Sequence, residues 1–281
     1  MSASVAAGRL YVVSTPIGNL GDFSFRAIDV LRAASLILAE DTRHSRTLLN
    51  RYEIRTPVSS YHEHNEAKTT PGLIERLRRG DDLALISDAG TPLLSDPGSR
   101  LVSAAIDASI IVIPIPGASA LLPALIASGI DAERFTFFGF LPRKGRERAS
   151  TLAELVSLPH TAVLYEAPTR LAETLSELEE HGAGQKKIAV AREMTKQYEE
   201  VRRGTVSTLR AYYKDTPPKG ECVIVLAGAD VCAVDESDVR ARARALAAEG
   251  RSARDVVAQL VAELGVPRNK AYAIVEEEKH A

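Results

Sequence analysis

The chain has 281 residues, room for two domains of about 150 residues each or for two and a small appendage. With 45% hydrophobic and 26% charged residues it is ordinary globular material, which excludes a low-complexity or disordered chain. A net charge of −2 excludes a general polycation, so any nucleic-acid contact must come from local basic patches.

Two cysteines, Cys222 and Cys232, lack CxxC spacing and give neither a zinc site nor a disulfide framework. Cys222 lies in an apolar run and reads as a core thiol. No run of about 18 apolar residues marks a membrane helix, and no basic-then-apolar leader is visible, so a reducing, cytoplasmic setting is expected.

Leu10–Ser14 reads as a strand that runs into a glycine-bearing turn, Thr15–Asp22. Ser24 or Asp22 then caps a helix over Phe25–Ala34, where Phe25, Ile28 and Leu31 recur at helical spacing. The turn has neither GxGxxG nor GxxxxGK[ST], which disfavours a Rossmann dinucleotide site and a P-loop. Strands follow at Leu36–Ala39, Val58–Tyr61, Leu83–Ile86 and Ile110–Ile113. The helices between them are predicted to about Asn50, over about Ala67–Arg79, and from Asp96-Pro97 to Asp107. In the last of these, Asp96 is the expected N-cap and Pro97 the first helical residue. Repeated βα units predict an α/β domain with a largely parallel sheet over residues 1–115. Ligands of such sheets bind beyond the carboxyl ends of the strands. Here those ends carry Glu40–His44, His62–Glu66, and Ser87-Asp88 with Gly90 and Thr91.

Pro114-Ile115-Pro116-Gly117 punctuates the chain and predicts the domain boundary. An apolar helix opens at Ala118-Ser119-Ala120 and runs to about Ser128. Strands at Phe135–Phe138, Ala162–Tyr165, Lys187–Ala191, Val201–Gly204 and Cys222–Leu226 predict a second α/β domain over 116–230. Phe140–Arg148 reads as a basic loop, either a phosphate grip or a solvated surface. After Gly228 the composition shifts to Ala, Arg and Glu, predicting helices near 236–248, 252–264 and 268–278 in a small unit over 235–281. Leu264–Lys270 has a helix-turn-helix cadence, the alternative being an appendage that packs on the body or on a partner.

His62-Glu63-His64 supplies too few ligands for catalytic zinc, which needs three placed protein ligands, so no metal is expected. There is no GxSxG elbow for a serine hydrolase. His44 and His62 are candidate general bases, or hydrogen-bond backbone at their loops. Arg192 and Lys196 follow an apolar strand, where they either pair with Glu193 or neutralise a nucleic-acid phosphate. The residues alone predict a two-domain α/β enzyme with a cleft between the domains and a polar or anionic substrate.

Nine segments in order carry a resemblance: LYVVSTPIGNLGD (10–22), EDTRH (40–44), HEHNE (62–66), SDAGTPLLSDPG (87–98), PIPGASA (114–120), GFLPRK (139–144), YEAPTRL (165–171), AREMTK (191–196) and KGECVIVL (219–226). Over residues 9–228 the chain resembles the ribosomal RNA small subunit methyltransferase I family of the tetrapyrrole methylase superfamily. The resemblance implies two consecutive α/β domains with S-adenosyl-L-methionine in the cleft between them. It implies 2′-O-methylation of a cytidine ribose in the decoding centre of 16S rRNA in the small ribosomal subunit, by a homodimer.

Cofactor contacts are implied at Thr15, Pro16, Gly18, Asn19, Ser87, Asp88, Ala89, Thr91, Pro92, Ser119, Ala120, Tyr165, Met194 and Ala227. The strand-end argument selects Ser87 and Asp88 independently. For such a reaction Asp41, His44 and Glu193 are candidates for the proton, and Arg43 and Lys196 for charge stabilisation. RNA contacts are expected at His62, His64, Arg143, Lys144, Arg146 and Arg192. The helix start reads Gly-Ala-Ser where relatives often have Gly-Pro-Ser. The enzymatic alternative is the same cleft acting on a tetrapyrrole or a protein side chain. The non-enzymatic one is a ligand-sensing, nucleic-acid-binding regulator that uses the C-terminal helices.

Overall fold

A computed structural model of the chain describes residues 6–229, 236–264, 266 and 268–279. β1 (Arg9–Val13), β2 (Leu36–Ala39), β3 (Val58–Ser60), β4 (Leu83–Ile86) and β5 (Ile111–Ile115) form one sheet in the order β3-β2-β4-β1-β5. Every pairing in it is parallel. β2 and β4 are apolar and buried at all four positions, as strands covered on both faces must be. Leu36 and Leu38 face a core completed by Leu73, Ile74 and Leu77 of α3 (Glu66–Arg78) and Leu101 and Ala105 of α4 (Ser99–Asp107). Ile37 and Ala39 face the opposite core, with Ala27, Ile28 and Leu31 of α1 (Phe25–Ala33) and Leu49 of α2 (Thr42–Arg51). Ser24 caps α1, its Oγ accepting the Ala27 N–H at 3.1 Å, while Asp22 ends a short 3-10 turn.

β1 and β4 are neighbours, yet the helices that follow them, α1 and α4, cover opposite faces. That divergence opens a crevice beyond the two carboxyl ends. Thr15 and Gly90 bridge there in antiparallel fashion.

Two expectations are corrected in this half. β5 does not break at Pro114 but runs to Ile115, because it is an edge strand, where the missing proline N–H need cost no ladder bond. The helix expected from Asp96-Pro97 starts only at Ser99, after Gly98 at φ 128°. A Cβ on Gly98 would lie 2.5 Å from Leu85 Cδ2, so backbone rather than side chain passes over β4. Asp96 is therefore not a helix cap.

β6 (Phe135–Phe140), β7 (Thr161–Glu166), β8 (Lys187–Arg192), β9 (Glu200–Thr205) and β10 (Cys222–Leu226) form a second sheet, ordered β6-β7-β10-β8-β9. Only β6 and β7 pair in parallel. α5 (Leu121–Ser128) covers one face through Leu121, Ala124 and Leu125, and Ile17 from the turn after β1 joins this same core. α6 (Gly145–Ser157), α7 (Leu171–Leu178) and α8 (Val206–Asp215) cover the other face. The basic loop ends early, since α6 begins at Gly145. Arg148 is buried on it, with Nε 2.9 Å from Glu177 Oε2 and an N–H donated to Thr174 Oγ1 at 2.9 Å. It is a structural ion pair and no phosphate grip. Arg143, Lys144 and Arg146 remain exposed.

α9 (Glu236–Ala248), α10 (Ala253–Leu264) and α11 (Arg268–Lys279) enclose a core of their own around Val239, Leu246, Leu260 and Ile274. Arg240, Arg242 and Arg244 pair with Glu277, Glu263 and Glu278 within the unit, which answers much of its basic charge internally. Gly265, Pro267 and Cys232 lie outside the described residues. Among the described residues no helix is long and apolar enough to cross a membrane.

Candidate active site

A cavity of about 390 Å³ opens at the crevice, a volume of small-molecule size. The loop after β4 gives one wall, Asp88–Thr91 and Leu94–Asp96, with Ile17 beside it. Ser119, Ala120, Phe140, Tyr165, Met194 and the start of β10 give the other. Of the expected cofactor contacts, Asp88, Ala89, Thr91, Ser119, Ala120, Tyr165 and Met194 are on these walls.

Thr15 and Ser87 are not, because their buried hydroxyls cross-link the strand-end loops. Thr15 Oγ1 donates to the Ser87 carbonyl at 3.1 Å, and Ser87 Oγ to the Gly90 carbonyl at 3.1 Å. Thr15 and Gly90 exchange backbone bonds of 2.8 and 3.0 Å. Pro16, Gly18, Asn19 and Pro92 are also off the walls. The turn holding the first three docks on residues 194–196: the Asn19 N–H donates to Thr195 Oγ1 at 3.1 Å, and a Cβ on Gly18 would lie 2.4 Å from Lys196 Cγ. Ala227 follows β10 at the end opposite the cavity. The cavity takes Glu221–Val223, and at about 3.3 Å per residue Ala227 lies roughly 13 Å further along.

Among the described residues the walls carry four carboxylates, Asp88, Asp96, Glu166 and Glu221, and no lysine or arginine. Glu166 is answered by Arg170 at 3.4 Å and by the Thr174 hydroxyl at 2.6 Å, and Glu221 by Lys196 at 3.1 Å. Asp88 Oδ1 accepts the Asp41 N–H at 3.1 Å. Burial pushes the Asp96 carboxyl up to about 6, with Glu40 and Asp88 adding repulsion and a hydrogen bond from Ser87 partly offsetting it. Burial likewise raises Glu40, again with Asp88 repelling it. Sequence reading missed both acids. The signal for Asp96 was Ser-Asp-Pro-Gly, a turn composition that also fits a helix start.

The residues proposed for chemistry separate into two groups. Asp41 caps α2 and accepts the Arg43 N–H at 2.8 Å, a bond that holds its carboxyl below the usual range and makes it a poor proton acceptor. Arg43 and His44 are exposed and off the cavity walls. Glu193 and Lys196, by contrast, join at 3.0 Å beside the cavity. Burial raises the Glu193 carboxyl, but Lys196, the Glu221 N–H and Arg192 together hold it below its ordinary value. Burial disfavours the Lys196 cation, but Glu193 and Glu221 outweigh that and raise its pKa. His62 and His64 meet edge to face at 6.0 Å, away from the walls. Arg192 pairs with Glu200 at 2.7 Å.

Gly220 sits at φ +81°, where a Cβ would fall 1.9 Å from Glu193 Oε1. Gly220→Ala is expected to displace Glu193 from Lys196 and to cost about 1 kcal/mol of backbone strain. Thermal melting should show a loss of about 2–4 °C. A variant with the parent's melting temperature and turnover would contradict this.

The profile of the tetrapyrrole (corrin/porphyrin) methylases matches residues 9–210. A Synechocystis sp. (strain ATCC 27184 / PCC 6803 / Kazusa) protein named ribosomal RNA small subunit methyltransferase I is 46% identical over 270 residues, 95% of this chain and 97% of that one. The protein of that name from Bacillus subtilis (strain 168) is 42% identical over 272 residues, 94% and 93% of the two chains. Among solved structures, diphthine synthase superposes with a TM-score of 0.60 at 14% identity, over 78% of this chain and 89% of that one. The Thermus thermophilus uroporphyrin-III C-methyl transferase complexed with S-adenyl homocysteine gives 0.56 at 17%, over 78% and 97%. These two share the fold. By profile and by relatives alike, this chain belongs to the tetrapyrrole methylases and, within them, to the ribosomal RNA small subunit methyltransferase I family.

Proposed function

We propose that the chain uses S-adenosylmethionine to methylate the ribose 2′-oxygen of a cytidine in the decoding centre of 16S rRNA, as a cytoplasmic homodimer acting on the small ribosomal subunit. The observation that carries the reading is the crevice cavity, walled by carboxylates and free of cations. A ligand with a sulfonium and an ammonium suits that wall, and Asp88 and Asp96 are the carboxylates there with no cationic partner among the described residues. Gly90 at φ +82° lets its loop approach the ligand closely. When bound, the cofactor supplies an already activated methyl group.

The chain's own task is then alignment and exclusion of water. Phe140, Tyr165, Met194 and Val223 form the apolar wall, with Tyr165 hydrogen-bonded to Ser119. Lys196, held protonated, is the group placed to stabilise a developing alkoxide, and Glu193 fixes its position. Exposed Arg143, Lys144 and Arg146 offer cations to an RNA backbone.

The test is methyl transfer from labelled S-adenosylmethionine to small ribosomal subunits lacking the modification, with the product nucleotide mapped. Label on a single cytidine 2′-oxygen is expected. Cofactor binding without label on RNA would overturn the substrate assignment.

A further inference from the structure

A second cavity, of about 450 Å³, lies across the Glu193–Lys196 pair from the first. Successive residues at the end of β8 divide between the two: Arg192 and Glu193 line the second, and Met194 lines the first. Glu193 Oε1 accepts the N–H of Glu221 at 3.2 Å, and Glu221 borders the first cavity, so a wall one side chain thick separates them.

The chemistry of the second cavity differs from that of the first. Tyr198, Tyr212 and Pro217-Pro218 give it flat apolar faces. Its two carboxylates are already answered, Glu193 by Lys196 and Glu200 by Arg192 at 2.7 Å and Arg202 at 2.5 Å. Lys219 on its rim is exposed and pairs with no carboxylate among the described residues. The Arg202 guanidinium lies 3.7 Å over the Tyr212 ring and braces it. Tyr198 is 66% exposed, so its ring face is open to a stacking partner. Tyr213 is 2% exposed, and its hydroxyl is buried with no hydrogen-bond partner among the described residues. A buried hydroxyl left unpaired calls for an explanation.

We propose that this cavity is a subsite for an unstacked nucleobase of single-stranded RNA. The base stacks on Tyr198, its polar edge meets the Tyr213 hydroxyl, and its phosphate lies at Lys219. Single-stranded RNA is read in this way, by aromatic platforms beside cations. The proposal rests on the RNA reading above, and places the base one residue from Lys196, hence next to the reacting ribose.

The experiment measures fluorescence anisotropy of a labelled oligoribonucleotide copied from the 16S decoding centre, with the whole chain and with Tyr198→Ala, Tyr213→Phe and Lys219→Ala. Methyl transfer to small subunits and calorimetric affinity for S-adenosylmethionine are measured alongside. Tyr198→Ala should weaken RNA binding about tenfold or more. Tyr213→Phe should weaken it about threefold without lowering the melting temperature, since the lost hydroxyl has no partner in the folded chain. Lys219→Ala should lower the slope of affinity against salt by about one unit. Cofactor affinity should be unchanged in all three.

Equal RNA affinity of the parent and both tyrosine variants overturns the proposal, as does a parent that binds no oligonucleotide. If Tyr198→Ala instead dissociates a dimer at unchanged RNA affinity, the cavity belongs to a second copy and the proposal is again overturned. Tyrosine-dependent RNA binding without methyl transfer supports the subsite while the proposed reaction fails. Transfer with tyrosine-independent binding does the reverse.

Discussion

Asp96→Asn is expected to weaken S-adenosylmethionine binding about tenfold at about pH 8, while raising the melting temperature of the free protein by about 2–4 °C. Both effects come from one carboxyl. Burial pushes it up to about 6, from an ordinary 3.8, with Glu40 and Asp88 adding to the shift. The folded chain thus holds this proton more tightly than the unfolded one does. Ionised Asp96 costs stability above its folded value, the cost shrinks as pH falls through about 6, and it is gone below the ordinary value. Asparagine removes the cost, so the variant's advantage at about pH 8 should vanish near pH 4. Asparagine also removes a negative charge from the wall that faces a cationic ligand. The parent's affinity should therefore fall as pH drops through about 6, and the variant's should fall less across that window. Calorimetric titration and thermal melts at both ends of the window check this. A parent affinity that ignores pH there would remove Asp96 from the cofactor wall.

Lys196→Ala is expected to cut turnover about 100-fold, with cofactor affinity changed by no more than about twofold. Lys196 is bonded to Glu193 and to Glu221, and its stem lies against Gly18. Alanine leaves two carboxylates facing each other without their shared cation. Burial then acts on Glu193 with its largest offset removed, so its carboxyl should rise and the residual activity should follow a shifted pH profile. Single-turnover rates with saturating cofactor read the effect directly. A variant that turns over normally would take Lys196 out of the chemistry.

How far the residues announced this structure depends on what each had to reveal. β2, β4 and β10 were legible because they are apolar at every position, a pattern that follows from burial on both faces. The crevice was legible because polar residues gather at the strand ends. The partners of those residues were not. Thr15 and Ser87 sit where ligand contacts belong, yet the Thr15 hydroxyl is spent on the Ser87 carbonyl and the Ser87 hydroxyl is shared between the Gly90 carbonyl and the Asp96 carboxyl, a matter of three-dimensional distance that residue type does not carry. Arg148 looked like part of a basic run and is instead buried on Glu177, a contact 29 residues away. Asp96 was hidden by a local rule that fitted it equally well as a helix cap. Ala227 came by resemblance alone and falls at the far end of its strand.

The cation-free wall also bears on what happens after the reaction. Methyl transfer turns a sulfonium into a neutral thioether, so the spent cofactor carries one positive charge fewer than the fresh one. On the proposed cofactor reading, two wall carboxylates with no cationic partner among the described residues hold the two forms unequally, favouring the charged donor. The turn after β1 and the loop after β4 are tied together by the backbone bonds between Thr15 and Gly90. On the proposed reading, charge thus favours exchange of spent for fresh cofactor: the groups that draw the donor in hold its product less tightly.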